Sequence, residues 1–251
     1  MQLPVDEGVS LHVQALGSGA PVVLLHGLLL GNLTTWYMTA APAIALKYRA
    51  IMYDLRGHGL SSRASTGYDL ETMSRDLERV IVEVAGGPAA VVGHSYGGAV
   101  ALTLALRAPS LVTKLILVEA PLPASRLSEL DAFVHQAPDS MIASLPAEVR
   151  ALLATGGRRA RRFIDAMQFF VQRSSVMTDL RSATDIADEA LAALVSPLTA
   201  IYGTSSSLRP VGGRLERVVP GARSVQLTGG HWLPMEHPAA LTAAILEALD
   251  G

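Results

Sequence analysis

A serine between glycines is the feature of this 251-residue sequence that most directly suggests chemistry. The segment GHSYGG at 93–98 follows a short apolar run, AAVV, and precedes a longer one. A Gly-x-Ser-x-Gly turn between a strand and a helix is typical of a nucleophile elbow, which presents the serine hydroxyl beside the amides of a helix N-terminus. The alternative is a phosphate-binding turn, but its Gly-x-Gly-x-x-Gly or Gly-Lys-Ser pattern is absent from this segment. We therefore predict that Ser95 is a nucleophile.

A serine nucleophile needs a base within hydrogen-bond distance, and histidine is the usual one. His231 follows the last predicted strand, in the segment LTGGHWLPMEHP, where two glycines allow the loop to bend back over the sheet. Ligand sites of open α/β sheets lie at the carboxyl ends of the strands, which is where that loop returns. We predict that His231 is the base. The other six histidines are expected to shape loops or to pack: His12, His26, His58, His94, His135 and His237.

Two backbone amides are candidates for stabilising the oxyanion that attack by the serine would create. One belongs to Tyr96, the residue after the nucleophile, and the other to the turn that ends an earlier apolar run, LLHGLLLGN. Leu28 follows His-Gly in that turn and is the candidate for the second donor.

These residues need a rigid scaffold, and the sequence predicts one built from alternating strands and helices. Nearly continuous apolar runs at 21–27, 49–59 and 112–121 are typical of strands buried on both faces of a parallel sheet. Apolar residues at 69–85 recur with the 3.6-residue period of an amphipathic helix. A last helix is predicted from about Pro238, since proline is favoured in a first helical turn. The pattern indicates an α/β protein with helices covering a mostly parallel sheet.

From 122 to 196 the pattern changes, because helical pieces broken by prolines and glycines replace the strands. We predict a helical lid inserted into the fold. The chain would then consist of a core formed by 1–121 and 197–251 and a lid formed by 122–196. A length of 251 residues suits one domain with such an insertion.

The composition narrows the classes of protein. Lys and Arg number 20 against 22 Asp and Glu, so charge gives no reason to expect nucleic acid or an anionic membrane as a partner. The chain contains no cysteine, which excludes disulfides, thiolate metal sites and a cysteine nucleophile. The first residues lack the basic and apolar regions of a secretory signal, and no apolar run reaches the roughly 18 residues that span a bilayer. We expect a cytoplasmic protein that uses neither a cofactor nor a metal.

Four segments together resemble the α/β-hydrolase superfamily, in order and spacing and over nearly the whole chain: LLHG at 24–27, YDLRGHGLSS at 53–62, GHSYGG at 93–98 and GGHWLPMEHP at 229–238. The resemblance implies an eight-stranded, mostly parallel sheet with a helical lid after the sixth strand. It also implies Ser95 as nucleophile, His231 as base, and the amides of Leu28 and Tyr96 as oxyanion donors. Glu236 matches an acid that is common after this histidine, where its implied role is structural.

The segment IYGTSSSLRP at 201–210 departs from that family's pattern. The resemblance implies an aspartate three residues beyond Gly203, but Ser206 stands there, and a neutral hydroxyl cannot stabilise an imidazolium as a carboxylate does. Glu119, at the end of the strand KLILVEAP, is the predicted replacement, since some members of the superfamily carry their acid at the end of the sixth strand. Neighbouring strands are about 4.8 Å apart, so a carboxylate there stays close to the loop of His231.

Three alternatives to Glu119 as the acid stay open. In the first, Glu119 only ends a strand, caps a lid helix or pairs with an arginine such as Arg126. In the second, the acid comes from the lid, which contains Asp179, Asp185 and Asp188. In the third, the site has no acid and the triad is degraded.

An apolar substrate pocket is predicted around these residues, with walls from the core and from the lid. Besides the oxyanion residues, the candidates are Leu29, Trp36, Leu122, Phe133, Met141, Phe169, Phe170 and Trp232. The alternative for each lid aromatic is ordinary packing of the lid on the core. The segment GRRARR places Arg158, Arg161 and Arg162 on one helical face. That face suits the phosphates of coenzyme A or an acidic acyl carrier protein, although such charge runs are more often solvated.

The sequence therefore predicts a serine hydrolase that cleaves a carboxylic ester, a thioester or a lactone with a hydrophobic acyl part, through an acyl-enzyme. By the resemblance, serine in place of aspartate sets aside the chemistry of the haloalkane dehalogenases and epoxide hydrolases of this fold. One rival is a lyase or cyclase reaction at the same site. The rival from outside the enzymes is a ligand-binding protein with a degraded triad.

Overall fold

Eight strands form the sheet around which the chain is built. In the computed structural model, the described residues are 1–122, 150 and 157–251, with the backbone alone described for 157–164. The strands are β1 Gln2–Asp6, β2 Val9–Leu16, β3 Pro21–Leu25, β4 Arg49–Tyr53, β5 Ala89–His94, β6 Val112–Val118, β7 Leu198–Gly203 and β8 Arg223–Leu227. Their order is β1-β2-β4-β3-β5-β6-β7-β8; the pairs β1–β2 and β2–β4 are antiparallel, and all others are parallel. The predicted eight-stranded, mostly parallel sheet is confirmed.

Helices follow most strands. They are α1 Thr34–Tyr37, α2 Ala41–Ile44, α3 Leu70–Arg79, α4 Tyr96–Arg107, α5 Gly157–Gln172, α6 Val176–Ser182, α7 Asp188–Ala192, α8 Arg209–Val218, α9 Leu233–Glu236 and α10 Pro238–Asp250. The Asp69 side chain begins α3 by accepting a hydrogen bond from the amide of Thr72 at 2.8 Å. The helix then widens into π-helical hydrogen bonding over Val80–Ala85, so the periodicity at 69–85 corresponds to two helical geometries in succession. Pro42 lies in the first turn of α2, where proline is favoured.

The central strands are buried on both faces because alternate side chains enter two different apolar clusters. On β3, Val23 and Leu25 pack into the cluster that also contains residues of α3 and α4. Val22 and Leu24 pack into the cluster on the opposite face, with residues of α1, α2 and α10. This two-sided burial explains the nearly continuous apolarity of the strand sequences.

The described residues between β6 and β7 contain three helices, α5, α6 and α7, and no strand. Phe170 of α5 and Leu180 of α6 are buried in the cluster that contains Val23 and Leu25. The helices therefore pack on one face of the fold, and the division into a core and a lid remains a prediction. None of the helices in the described part of the chain is long and apolar enough to span a membrane.

A buried ion pair joins the turn after β4 to α3. Arg56 donates from Nε and Nη2 to the two carboxylate oxygens of Asp76, at 2.7 Å each, and neither side chain is more than 5% exposed. Removing one member of such a pair leaves the other charge buried without compensation.

We therefore predict that Asp76→Asn lowers the free energy of unfolding by about 3–5 kcal/mol. The exposed pair of Arg79 and Glu83 supplies the control, since Glu83→Gln should cost less than about 1 kcal/mol. Urea unfolding of both variants measures the difference, and equal losses would contradict the argument from burial.

Candidate active site

Ser95 occupies a sharp turn between β5 and α4. Its φ of 52° and ψ of −125° lie outside the regions that residues with a side chain normally adopt, as expected for a nucleophile elbow. A Cβ added at Gly93 would lie 2.5 Å from the carbonyl oxygen of Gly97, and one added at Gly97 would lie 2.5 Å from that of His26. Both positions therefore require glycine. The Ser95 amide donates to the carbonyl oxygen of Val118 at 2.8 Å, which fixes the turn to β6.

His231 reaches Ser95 from the loop between β8 and α9. Its Nε2 lies 3.0 Å from Ser95 Oγ, and its side chain is 34% exposed. Two side chains hold this loop: Glu236 Oε2 accepts from the Gly230 amide at 2.7 Å, and His94 Nε2 donates to the His231 carbonyl oxygen at 2.9 Å. Glu236 thus makes the structural contact that the resemblance implied. For His94 the sequence predicts only packing or a role in shaping a loop, and it gives no sign of this contact.

The carboxylate of Glu119 lies on the other side of the His231 ring. Its Oε2 is 3.3 Å from His231 Nδ1, and the side chain is fully buried. The Gly203 amide donates to Oε1 at 2.5 Å, and the Ser206 hydroxyl donates to Oε2 at 2.5 Å. Because a carboxylate can only accept, Nδ1 carries the hydrogen of His231 and Nε2 is left as an acceptor. The arrangement can take a proton from Ser95.

Ser206 stands at the position where the resemblance implied an aspartate. Its hydroxyl donates to Glu119 and accepts from the amide of Leu208 at 3.1 Å. Ser206 therefore does not stand in for the acid; it binds the carboxylate that comes from the end of β6. Sequence reasoning missed this role, because nothing in TSSSL distinguishes a serine that binds a carboxylate from one that faces solvent.

The lid acids that were open as alternatives have other partners. Asp179 accepts from the amide of Tyr68 at 3.0 Å and from the hydroxyl of Ser175 at 2.5 Å. Asp185 and Asp188 both pair with Arg214. Among the described side chains, Glu119 is the one carboxylate hydrogen-bonded to His231. Arg126 lies outside the described residues.

Three residues at the site have left-handed backbone conformations: Leu29, Ser95 and Glu119, with φ of 65°, 52° and 54°. They are the only non-glycine residues with positive φ in the described part of the chain. Such a conformation costs about 1–3 kcal/mol and persists only where surrounding structure fixes it. The Glu119 amide donates to the carbonyl oxygen of Ile201 in β7 at 2.9 Å, so the sheet itself holds this turn.

The two predicted oxyanion donors flank Ser95. Tyr96 is the first residue of α4, so its amide is one of the first-turn N–H groups that have no carbonyl partner within the helix. Leu28 follows Gly27, where an added Cβ would lie 3.2 Å from the Cβ of Ser95. The next amide along, that of Leu29, is already occupied: it donates to His58 Nε2 at 2.9 Å.

The predicted pocket residues fall into different environments. Leu28, Leu29 and Leu122 are buried in the same cluster as Tyr96, and the Trp232 ring meets that of His231 edge to face at 5.6 Å. Trp36 does not join them: this residue is fully buried in the cluster on the opposite face of the sheet, because α1 packs there.

The predicted lid residues are described in part. Phe133 and Met141 lie outside the described residues. The guanidinium groups of Arg63 and Arg173 lie 5.6 and 5.7 Å from the centroid of the Phe169 ring, and the Phe170 ring lies 4.5 Å from that of His58. Both aromatic side chains therefore contact residues that precede β5, Phe169 through Arg63 and Phe170 through His58. Arg158, Arg161 and Arg162 belong to the first part of α5, residues 157–164, for which only the backbone is described.

Three histidines at this edge are buried and bridge separate loops. His26 Nε2 accepts from the Leu55 amide at 3.0 Å, and His58 Nε2 accepts from the Leu29 amide at 2.9 Å. Burial lowers the pKa of His58 to about 4 and that of His94 to about 3, and it also lowers the pKa of His26. All three are neutral at physiological pH, which suits His26 and His58 as acceptors of backbone hydrogen bonds and leaves His94 one N–H to donate.

Acid should therefore destabilise the protein before its carboxylates are protonated. In the unfolded chain these histidines take up protons near pH 6.5, whereas His58 in the native state does so only near pH 4. The unfolded state thus binds more protons between these values, and the free energy of unfolding falls as pH falls, by about 1.4 kcal/mol per pH unit per histidine.

We predict that urea unfolding measured from pH 7.5 to 4.5 will show this loss. His58→Gln should reduce the slope below pH 6.5, because it removes one of the titrating groups. A slope that His58→Gln does not alter would contradict the assignment.

Comparison with known proteins agrees with this architecture. The family model for the alpha/beta hydrolase fold matches residues 20–154. A soluble epoxide hydrolase from Corynebacterium sp. (strain C12) is 35% identical over 114 residues, covering 45% of this chain and 38% of that protein. A pimeloyl-[acyl-carrier protein] methyl ester esterase from Nitrosospira multiformis is 38% identical over 112 residues, covering 43% and 41%. The chain thus spans less than half the length of these curated relatives.

One solved structure matches this chain along its whole length. The crystal structure of a hydrolase from Pseudomonas aeruginosa superposes with a TM-score of 0.80 and 27% identity, covering 100% of this chain and 98% of that one. The family model covers more than half of the chain, including the elbow of Ser95. The elbow, the sheet order and these matches lead to one conclusion: the chain belongs to the α/β-hydrolase family.

Proposed function

We propose that the chain is a serine hydrolase that cleaves a carboxylic ester, thioester or lactone with a hydrophobic acyl part. The observation that carries the proposal is the line of hydrogen bonds from Ser95 Oγ through the two nitrogens of His231 to Glu119 Oε2. A nucleophile, a base and an orienting acid in that order are the groups that acyl transfer requires.

The proposed first step forms an acyl-enzyme. His231 Nε2 takes the proton of Ser95 as Oγ attacks the carbonyl carbon, and the resulting imidazolium is stabilised by the Glu119 carboxylate at Nδ1. The negative charge moves to the carbonyl oxygen, where the amides of Leu28 and Tyr96 stabilise it. As the tetrahedral intermediate collapses, the leaving alkoxide or thiolate takes the proton from His231.

Hydrolysis of the acyl-enzyme repeats these steps with water. His231 removes a proton from the water as its oxygen attacks the acyl carbon, and Ser95 Oγ leaves and recovers the proton from the imidazolium. The carboxylic acid then departs, and no cofactor enters the cycle.

The proposed preference for a hydrophobic acyl part rests on the side chains beside the nucleophile. Leu29 and Leu122 lie in the apolar cluster that contains Tyr96, and Trp232 lies against His231. Apolar walls with a few polar groups are usual for small-molecule sites.

The residue type of the nucleophile distinguishes the proposed reaction from epoxide hydrolysis, the activity that the name of one relative states. The relative from Corynebacterium is an epoxide hydrolase, and epoxide hydrolases of this fold use aspartate where this chain has Ser95. The esterase from Nitrosospira acts, by its name, on the methyl ester of an acyl-carrier-protein conjugate. An ester-type bond therefore fits the residues of this chain better than an epoxide.

The proposal includes a partner for the protein, namely an anionic carrier of the acyl group. Arg158, Arg161 and Arg162 have the i, i+3, i+4 spacing that places them on one face of α5. Coenzyme A or an acyl carrier protein would supply the phosphates or carboxylates that such a face binds.

We predict that Ser95 is labelled by an alkyl fluorophosphonate, since the base beside it makes its hydroxyl reactive. Intact mass should show one adduct, peptide mapping should place it at 93–98, and Ser95→Ala should remove it. Folded protein that stays unlabelled would favour the ligand-binding alternative with a degraded triad.

We also predict that Glu119→Gln lowers kcat on an aryl ester by about 10³–10⁴, because a neutral amide cannot stabilise the imidazolium. The matched control is Asp188→Asn, which removes an exposed carboxylate paired with Arg214 and should stay within about twofold of wild type. Wild-type turnover by Glu119→Gln would show that the acid lies elsewhere.

A second substitution sharpens this test. Ser206 Oγ is 2.5 Å from Glu119 Oε2, so an aspartate at 206 would bring a carboxylate to the same side of the His231 ring. Adding Ser206→Asp to the Glu119→Gln protein should therefore recover at least about tenfold in kcat, whereas Ser206→Asn should not.

A further inference from the structure

We infer that His58 is a positioning residue that holds the oxyanion turn, residues 27–30, and that helix α5 holds the ring of His58. The inference rests on the proposed hydrolase function and adds a role that the triad does not include. His58 lies in the turn after β4 and is 3% exposed. It contacts neither Ser95 nor His231 through any described hydrogen bond.

The oxyanion turn is strained. The Leu30 amide donates to the Leu28 carbonyl oxygen at 2.9 Å, which closes a three-residue γ-turn around Leu29. Leu29 has φ of 65°, and the γ-turn with positive φ is the rare, strained form. A conformation of this kind needs external contacts to persist. The Leu29 amide takes no part in closing the turn, and His58 Nε2 is its partner at 2.9 Å.

The His58 ring is itself fixed from two sides. Its Nδ1 donates to the Arg56 carbonyl oxygen at 2.9 Å, which leaves Nε2 as the acceptor for Leu29. The Phe170 ring of α5 lies 4.5 Å away at an angle of 35°. A Cβ added at Gly57 would lie 2.7 Å from the Phe170 ring, so glycine at this position is what allows the helix to approach. Helix α5 therefore packs directly on the ring that holds the turn.

The contact affects the reaction through the direction of one amide. The Leu29 N–H that His58 binds belongs to the peptide that shares the Leu28 Cα with the peptide carrying the Leu28 N–H, so fixing the first peptide limits the directions open to the second. The proposed donor must point at an oxyanion that exists only during the reaction. Releasing the Leu29 amide would leave it buried without a partner and let the turn relax. The apolar side chains of the site would stay in place. The loss should therefore appear in kcat and much less in KM.

Two substitutions at the same position separate this role from general packing. His58→Asn places its amide near the position of Nδ1, so it keeps the bond to Arg56 and loses the acceptor for Leu29. His58→Gln extends to the position of Nε2 and keeps that acceptor. The concentration of reactive sites is determined by titrating one sample of each protein to completion with the fluorophosphonate. Rates on the aryl ester are measured on a second, unlabelled sample and expressed per reactive site.

We expect His58→Asn to lower kcat by about 10–100-fold with KM within about threefold, which is less than the 10²–10³ typical of losing an oxyanion donor outright. His58→Gln should retain kcat within about fivefold. Wild-type kcat in His58→Asn, or equal losses in the two variants, would overturn the role. Wild-type protein that cleaves no ester would instead overturn the proposed function, and this role with it.

A separate kcat measurement tests whether α5 supports the ring of His58. Phe170→Leu should lower kcat in the otherwise wild-type protein, because the ring of His58 loses its support, and it should cause little further loss in His58→Asn. Additive losses in the double variant would show that Phe170 acts independently and would overturn the part of the inference that concerns the helix.

Discussion

The buried carboxylate of Glu119 is the constraint on which the arrangement of the sheet edge around Ser95 and His231 depends. A carboxylate removed from water is costly unless donors replace its hydration. Its donors come from three places in the chain: the Gly203 amide at the end of β7, the Ser206 hydroxyl in the next turn and the imidazole of His231 after β8. These segments meet because β6, β7 and β8 are neighbours in the sheet. The same contacts that satisfy the charge also align the His231 ring with Ser95.

The strained backbone at the site depends on the same sheet. Leu29, Ser95 and Glu119 follow β3, β5 and β6, which are consecutive in the sheet order. The amides of Ser95 and Glu119 still donate to the adjacent strands, to Val118 and Ile201. At Ser95 and Glu119 the backbone therefore changes direction directly after its last sheet bond, and many ladder bonds outweigh a local cost of about 1–3 kcal/mol. Strain at these positions is affordable because the strands around them are rigid.

Sequence reasoning predicted the sheet, the elbow and the approach of Glu119 to His231, because each follows from strands that end at one edge. It did less well where tertiary packing decides. Trp36 follows a glycine turn and is apolar, which suits a pocket wall, yet the packing of α1 places it on the opposite face of the sheet. The widening of the helix at Val80–Ala85 leaves the apolar periodicity almost unchanged, so the sequence does not reveal it. Ser206 has no distinguishing pattern, since its role depends on a carboxylate 87 residues away.

The histidines show why residue type alone cannot locate a site. His26 and His58 form a reciprocal pair: each follows one of the neighbouring strands β3 and β4, and each accepts an amide from the loop after the other, from Leu55 and from Leu29. Their second nitrogens face carbonyl oxygens, so backbone groups occupy both sides of each ring. His231 differs because its two nitrogens meet side chains, one of them a hydroxyl, and because it is partly open to solvent. A histidine whose two nitrogens are both bonded to the backbone can hold a loop but has no free nitrogen for proton transfer. That difference, which is invisible in the sequence, separates His231 from His26 and His58 and makes His231 the candidate base.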